Sequence, residues 1–134
     1  MATGSKAGLQ VIDSSAWLEY LANGPNAEEF AHAIEAADRL IVPTVVVTEV
    51  LRRLDAQGRG AVIPDVLAHM RQGRLVPLDD QLAVAAAVLG RQHGLPLADS
   101  IIYATARIVG GTVWTQDEDF RSLPGVQYRP HRRS

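Results

Sequence analysis

Short β-type runs alternate with helical segments along most of this 134-residue chain. The segments between the runs carry apolar residues at helical spacing and end at glycine, asparagine or proline. Strands separated by helices predict an α/β/α domain with three layers and a central, mostly parallel sheet of four to five short strands. The predicted strands are Leu9–Ile12, Arg39–Val42, Arg74–Pro77, Thr112–Thr115 and Val126–Tyr128.

The helices are predicted from apolar stripes and from capping residues. Ser14 or Ser15 is expected to cap the first helix, and Thr44 the third. The segment that follows Thr44 is rich in β-branched residues, but Val46, Val50 and Leu54 share one helical stripe, which favours a helix. The predicted helices run from Ser14 or Ser15 through Leu21, over Asn26–Ala37, Val45–Gln57, Val62–Arg71 and Asp79–His93, and from Ala98 or Asp99 through Val109.

Length and composition indicate one soluble domain over residues 9–128. Residues 1–8 are expected to form a flexible arm, and residues 129–134 a basic, disordered tail. The hydrophobic fraction is 47%, yet no apolar run approaches the roughly 20 residues that span a bilayer. The first residues do not resemble a secretory signal, so we expect the cytoplasm. With no cysteine, disulfides and thiolate zinc sites are excluded.

The net charge and the kinds of basic residue exclude further classes of function. The net charge of −2 excludes a generic polycation that clings to nucleic acid. Lys6 is the only lysine and precedes the first predicted strand, which argues against a phosphoryl-transfer site with an acceptor aspartate and a neutralising lysine. No P-loop and no Gly-x-Ser-x-Gly elbow occur.

Four acidic residues stand at positions that suit a site. Asp13 follows the first predicted strand and Asp117 follows the fourth, and sites in parallel sheets form beyond the carboxyl ends of strands. Asp99 lies at the start of a helix, and Glu49 lies near the second turn of another. Each has an ordinary alternative: Asp13 and Asp99 as helix caps, Glu49 as a solvated helix residue, and Asp117 as a turn residue.

If the four carboxylates converge, they cannot all stay ionised without help. Two like charges about 4 Å apart repel by roughly 4 kcal/mol at an effective dielectric of 20. Either some pKa values rise or a cation binds. Ligation by oxygen alone suits Mg²⁺ or Mn²⁺ better than zinc.

Four stretches of the sequence together resemble the PIN-domain nucleases, and specifically the VapC-type toxins of bacterial toxin–antitoxin pairs. They occur in the order of that family and extend from about Val11 to Phe120. The stretches are Val11-Ile-Asp-Ser-Ser-Ala16, Val47-Thr-Glu-Val-Leu51, Leu97-Ala-Asp-Ser-Ile-Ile-Tyr-Ala-Thr-Ala106 and Val113-Trp-Thr-Gln-Asp-Glu-Asp-Phe120.

The resemblance implies a Mg²⁺- or Mn²⁺-dependent endoribonuclease with a quartet of carboxylates, in which Asp13 and Asp99 are the most direct metal ligands. It matches Thr115 and Ser14 to supporting hydroxyl positions, and Asp119 to an auxiliary acid. The quartet is Asp13, Glu49, Asp99 and Asp117.

The same resemblance implies partners. These are an RNA substrate, a VapB-type antitoxin that inserts a segment into the acidic site, and a second copy of the chain in a homodimer. Arg52, Arg53 and Arg107 follow quartet residues on their helices and are candidates for phosphate contacts. The alternative is a non-catalytic binding or scaffold domain that keeps the fold. Metal binding and metal-dependent RNA cleavage separate the two hypotheses.

Overall fold

The computed structural model describes residues 8–133 and contains the predicted strands and helices in the predicted order. Apart from Gly8, the proposed N-terminal arm lies outside the described residues, as does Ser134 of the proposed tail. The strands are β1 (Gln10–Ile12), β2 (Leu40–Pro43), β3 (Arg74–Val76), β4 (Thr112–Thr115) and β5 (Val126–Tyr128). The helices are α1 (Ser14–Leu21), α2 (Ala27–Glu35), α3 (Thr44–Ala56), α4 (Ile63–Gln72), α5 (Asp80–His93) and α6 (Leu97–Val109).

The five strands form one parallel sheet in the order β3-β2-β1-β4-β5. Consecutive side chains of a strand point to opposite faces of the sheet. All four residues of β2 are buried, so helices cover both faces there. The predicted α/β/α architecture with a parallel sheet is therefore confirmed.

The ambiguous segment after β2 is the helix α3, as predicted. Val46, Val50 and Leu54 are fully buried at a spacing of four residues, which is the stripe that a helix buries against a core. No helix formed by residues 8–133 combines the length and the apolar character needed to cross a membrane.

Two predicted helix caps are wrong. Asp13, not Ser14 or Ser15, occupies the N-cap of α1, and its side chain accepts a hydrogen bond from Ser15 N. An N-cap typically has extended backbone angles, and Asp13 has them because it directly follows β1 and its N–H still bonds to Trp114 O of β4. Thr44 is the first residue of α3, and Pro43 occupies the N-cap without a side-chain hydrogen bond.

The last residues of the chain contact α2 and the loop before it. Arg129 Nε donates a hydrogen bond of 2.6 Å to Glu29 Oε1, and Arg132 Nε donates one of 2.7 Å to Asn26 Oδ1. Disorder of the tail in solution stays a prediction. In the structure this segment follows a defined path as far as Arg133.

Helices α5 and α6 approach each other closely at Gly90, and this contact sets the position of the first turn of α6. A Cβ atom on Gly90 would overlap Ser100 Oγ and lie 2.8 Å from Ser100 Cβ. Ser100 is held in turn, because its hydroxyl donates to Pro96 O at 2.9 Å. Gly90 therefore allows the approach that places the N-terminus of α6, and with it Asp99.

We expect Gly90→Ala to lower the free energy of unfolding by about 2 kcal/mol, because overlap in a packed interface outweighs the roughly 1 kcal/mol that alanine contributes over glycine in a helix. Urea denaturation measures the change. The double variant Gly90→Ala/Ser100→Gly is the control, and it should recover part of the loss. An unfolding free energy equal to that of the wild type in Gly90→Ala would contradict the close approach.

Candidate metal centre

The candidate site lies where the order of the sheet changes direction. From β1 the chain proceeds outward to β2 and β3, whereas β4 and β5 lie on the other side of β1. Connections that leave two neighbouring parallel strands in opposite directions open a crevice beyond their carboxyl ends. Asp13 directly follows β1 and is 3% exposed, and Asp117 lies two residues beyond β4. These acids therefore flank the crevice.

The carboxylate of Asp13 is fixed by three donors that all meet Oδ2. Ser15 Oγ donates at 2.6 Å, Thr115 Oγ1 at 2.7 Å and Ser15 N at 3.3 Å. Among the described residues these are the side-chain and backbone donors to this carboxylate, so Oδ1 is the oxygen that remains for a ligand. The buried charge is thereby held in one orientation.

Thr115 also positions the residues that follow β4. Its fully buried Oγ1 accepts a hydrogen bond of 2.8 Å from Asp117 N while it donates to Asp13. Ser15 Oγ accepts one of 2.9 Å from Gln116 N. Two hydroxyls thus join the end of β1, the start of α1 and the loop after β4. This network sets the distance between Asp13 and Asp117.

Three carboxylates converge beside this network. One oxygen each from Asp99, Asp117 and Asp119 lies within 4.8 Å of the other two. Asp99 is the third residue of α6 and is 8% exposed, whereas Asp119 is exposed. Asp117 Oδ1 accepts a hydrogen bond of 2.9 Å from Asp119 N, which fixes the turn between these two acids.

Glu49 borders the site from another side. Its Oε1 accepts a 2.5 Å hydrogen bond from Ser14 Oγ, so adjacent serines hold Glu49 and Asp13. Glu49 lines a cavity of about 360 Å³ together with Ser14, Arg53 and Gln116. It lies outside the group of three carboxylate oxygens.

The site raises the pKa of two aspartates. Burial raises the pKa of Asp13, with a further rise from the charge of Asp117, against the opposing effect of hydrogen bonds from Ser15 and Thr115. The pKa of Asp99 is raised to about 8, chiefly by burial and then by the charges of Asp117 and Asp13, with smaller effects from a hydrogen bond to Asp117 and the charge of Asp119. Both shifts arise mainly from burial, and the charges of neighbouring carboxylates add to them.

The residues present fit a hard divalent cation. The converging donors are all carboxylate oxygens, which is the ligand type that Mg²⁺ and Mn²⁺ prefer. A bound cation would also relieve the repulsion that raises the pKa of Asp99. The alternative of Asp99 as a helix cap is not supported, because Pro96 occupies the N-cap position of α6.

The structure does not bring all four carboxylates of the predicted quartet together at one point. Asp99 and Asp117 lie together, the charge of Asp13 contributes to the raised pKa of Asp99, and Glu49 lies to one side on Ser14. Asp119, treated from sequence as auxiliary, joins the converging group. The sequence signal for Asp119 was its position two residues after Asp117 in the same turn. This spacing brings the two side chains to the same side of the turn. The quartet as a metal site stays a prediction.

The two supporting hydroxyls implied by the resemblance each contact a quartet carboxylate. Thr115 donates to Asp13 and Ser14 donates to Glu49. Ser15, which the resemblance did not single out, also donates to Asp13. The Asp-Ser-Ser sequence carried that signal, because a capping aspartate accepts hydrogen bonds from the second residue after it.

The candidate phosphate-binding arginines do not all lie at the candidate site. Arg53 lines the cavity next to Glu49. Arg107 lies in the last turn of α6, at the opposite end of that helix from Asp99, with its guanidinium 5.9 Å from the centre of the Tyr103 ring. Arg107 as a phosphate contact stays a prediction, which this position does not support. The structure gives no contact that supports Arg52.

Comparisons with known proteins agree on the fold. The family model described as PIN domain matches residues 11–126. No curated protein sequence matches the chain. At 17–21% identity, similarity to solved structures shows the fold alone.

Three similar structures come from different bacteria. A toxin–antitoxin complex from Klebsiella pneumoniae has a chain with a TM-score of 0.75 and 18% identity, covering 88% of this chain and 95% of that one. The sarcin–ricin-loop-cleaving toxin VapC20 of Mycobacterium tuberculosis has a TM-score of 0.73 and 17% identity, with coverages of 90% and 99%. FitAcB from Neisseria gonorrhoeae has a TM-score of 0.70 and 21% identity, with coverages of 91% and 98%.

The raised pKa of Asp99 generates a prediction about stability in chelator. A carboxyl whose pKa rises from 3.8 to about 8 on folding binds more protons in the folded state between those pH values. Its stabilising contribution is present in full below pH 3.8 and is lost as the pH rises through about 8. We expect the melting temperature to fall from pH 5 to pH 8.5, and Asp99→Asn to flatten that decline.

Differential scanning fluorimetry at a series of pH values in EDTA measures this effect. Asp65→Asn is the matched control, because Asp65 is an exposed aspartate at the third position of α4, as Asp99 is of α6. Equal pH profiles for wild type and Asp99→Asn would refute the raised pKa. A large loss of stability in Asp99→Asn at every pH would indicate a structural role instead.

Proposed function

The chain belongs to the PIN-domain family, a family of nucleases, and on that premise we propose that it is a metal-dependent endoribonuclease. The observation that carries the proposal is the convergence of Asp99, Asp117 and Asp119 beside the buried Asp13. A crevice with this much negative charge repels a phosphodiester unless a cation is bound. Metal-dependent hydrolysis is the chemistry that uses such a site.

Each carboxylate has a defined part in the proposed reaction. Asp99, Asp117 and Asp119 would hold the ion, and Asp13 and Glu49 are the further ligands proposed from sequence. A bound Mg²⁺ or Mn²⁺ would supply positive charge beside the scissile phosphate and the attacking water. Water attacks phosphorus, the bond between phosphorus and the leaving ribose oxygen breaks, one water proton passes to a carboxylate, and the leaving oxygen takes up a proton from solvent.

Asp13 is held in an orientation that suits a metal ligand. Its hydrogen bonds from Ser15 and Thr115 fix Oδ2, so Oδ1 is the oxygen that would meet the ion. Burial disfavours the negative charge of this carboxylate, and a cation beside it would offset that effect.

We expect the purified chain to cleave a pool of total RNA into discrete products with Mg²⁺ or Mn²⁺, and not with EDTA. Asp99→Asn should lower the rate by about 100-fold, because metal affinity depends on the full set of oxygen ligands. Asp65→Asn, the same change at an exposed helix start, should cleave as the wild type does. Gel electrophoresis and sequencing of the product ends measure the outcome.

Two results would count against the nuclease. Equal cleavage by Asp99→Asn would indicate a contaminant or a misplaced site. Absence of cleavage, with Mg²⁺ or Mn²⁺ still raising the melting temperature of the wild type but not of Asp99→Asn, would favour the non-catalytic scaffold.

We further propose that the chain is the toxin of a type II toxin–antitoxin pair, acts as a homodimer and is neutralised by a separately encoded VapB-type antitoxin. The similar fold of a chain from a toxin–antitoxin complex supports this proposal. An antitoxin arginine that enters the crevice would meet Asp99, Asp117 and Asp119 and replace the cation there.

Induction of the chain in a bacterial host should stop growth within a few generations if this proposal holds. Asp99→Asn should allow growth, because it removes a carboxylate from the site, whereas Asp65→Asn should stop growth as the wild type does. Optical density and immunoblots for equal expression measure the outcome. Equal arrest by Asp99→Asn would exclude RNA cleavage as the cause.

A further inference from the structure

A continuous groove leads from Glu49, at the border of the candidate metal centre, to the C-terminal residues. The cavity of about 360 Å³ that contains Glu49 is also lined by Glu19 and His131. A second cavity of about 500 Å³ shares those two residues and continues to Arg132 and Arg133. The two cavities are therefore adjoining parts of one surface path.

A buried polar network fixes this path. Asn26 is 1% exposed, and its Nδ2 donates to Gln116 Oε1 at 2.6 Å and to Pro130 O at 2.8 Å. Its backbone N donates to Glu19 Oε2 at 2.7 Å, and its Oδ1 accepts from Arg132 Nε at 2.7 Å. Buried polar groups with every partner in place hold a single geometry. Asn26 thus ties the C-terminal segment to the loop after β4.

The groove carries more arginines than carboxylates, since Arg53, Arg132 and Arg133 line it together with Glu19 and Glu49. Arg132 is held by neutral acceptors, Asn26 Oδ1 and Pro25 O, rather than by a carboxylate. Within residues 8–133, the arginines with a carboxylate within 4.0 Å are Arg121 and Arg129. The charges of Arg53, Arg132 and Arg133 are consequently not neutralised by ion pairs in that part of the chain.

We infer that this C-terminal groove binds the phosphates of the RNA strand next to the scissile phosphate. The inference rests on the proposed nuclease, which supplies the reason for a polyanion at this place. Arg53 lies beside Glu49, and Arg132 and Arg133 lie at the far end, with the imidazole of His131 between them. Cations spaced along a groove that begins at the reactive site suit a single strand, whose phosphates follow one another along a line.

The experiment measures binding apart from cleavage. A fluorescein-labelled single-stranded RNA, taken from around a cleavage site or otherwise of mixed sequence, is titrated with full-length protein in EDTA, and anisotropy is read at several salt concentrations. In Arg132→Gln/Arg133→Gln, the slope of log Kd against the logarithm of the salt concentration should fall by about 1.4. Each phosphate contact to a single strand contributes roughly 0.7 to that slope. Near 0.1 M salt this predicts a Kd raised roughly 10- to 30-fold.

The matched control is Arg71→Gln/Arg74→Gln, which removes the same charge from exposed positions at the β3 edge of the sheet. It should change Kd by less than about threefold, as a general electrostatic effect. Equal weakening by the two double variants, or wild-type binding by Arg132→Gln/Arg133→Gln, would overturn the groove.

Two further variants guard against a folding defect. Arg133 makes no hydrogen bond within residues 8–133, so Arg133→Gln leaves the Asn26 network intact and should reduce the salt dependence by about 0.7. Asn26→Ala keeps every charge but frees the segment, and should raise Kd several-fold while circular dichroism shows a folded protein. Wild-type affinity in Asn26→Ala would overturn a fixed groove.

The result is separable from the proposed nuclease. Metal-dependent cleavage together with wild-type binding by the arginine variants would leave the nuclease and overturn the groove. Binding that depends on Arg132 and Arg133 without cleavage under any metal would support the groove and count against the nuclease.

Discussion

The hydrogen bond from Thr115 to Asp13 is the interaction on which the site depends. It joins residues 102 positions apart and exists because β1 and β4 pair in parallel at the centre of the sheet. The same hydroxyl accepts from Asp117 N, so one buried threonine fixes the carboxyl ends of both strands. The geometry of the acidic crevice follows from strand pairing rather than from the loops alone.

The burial of charged carboxylates in this crevice lowers the stability of the folded protein. Asp13 and Asp99 are both nearly buried, and both have pKa values above the ordinary range because burial and neighbouring carboxylates disfavour their charge. A sequence selected only for stability would place apolar or neutral residues here. The serine and threonine hydroxyls that hold Asp13 lessen the unfavourable energy without removing the charge. That combination is expected where the charge itself is needed for function.

Sequence patterns predicted the parallel sheet and the positions of Asp13 and Asp117, because both follow from where strands end. They ranked Glu49 with the quartet and Asp119 as auxiliary, whereas the structure places Asp119 in the converging group. That difference depends on side-chain direction: Glu49 accepts a hydrogen bond from Ser14, whereas Asp119 lies in a turn near Asp99. The cap at Asp13 was one of the two alternatives that the sequence left open, because a residue between a strand and a helix suits both a cap and a site. The Asn26 network could not be predicted, since its partners lie up to 106 residues away and form no periodic pattern.

The distribution of charge explains how a chain of net charge −2 can meet RNA. Acidic residues converge at the strand ends, while arginines that form no ion pair within residues 8–133 lie along a groove that begins nearby at Glu49. Salt screens such fields within about 10 Å at 0.1 M, so local placement decides the interaction and net charge does not. A bound cation would reduce the negative charge at the crevice and so lessen its repulsion of the strand. In the proposed mechanism the arginines of the groove therefore bind the strand with or without the metal, whereas cleavage at the crevice requires the metal.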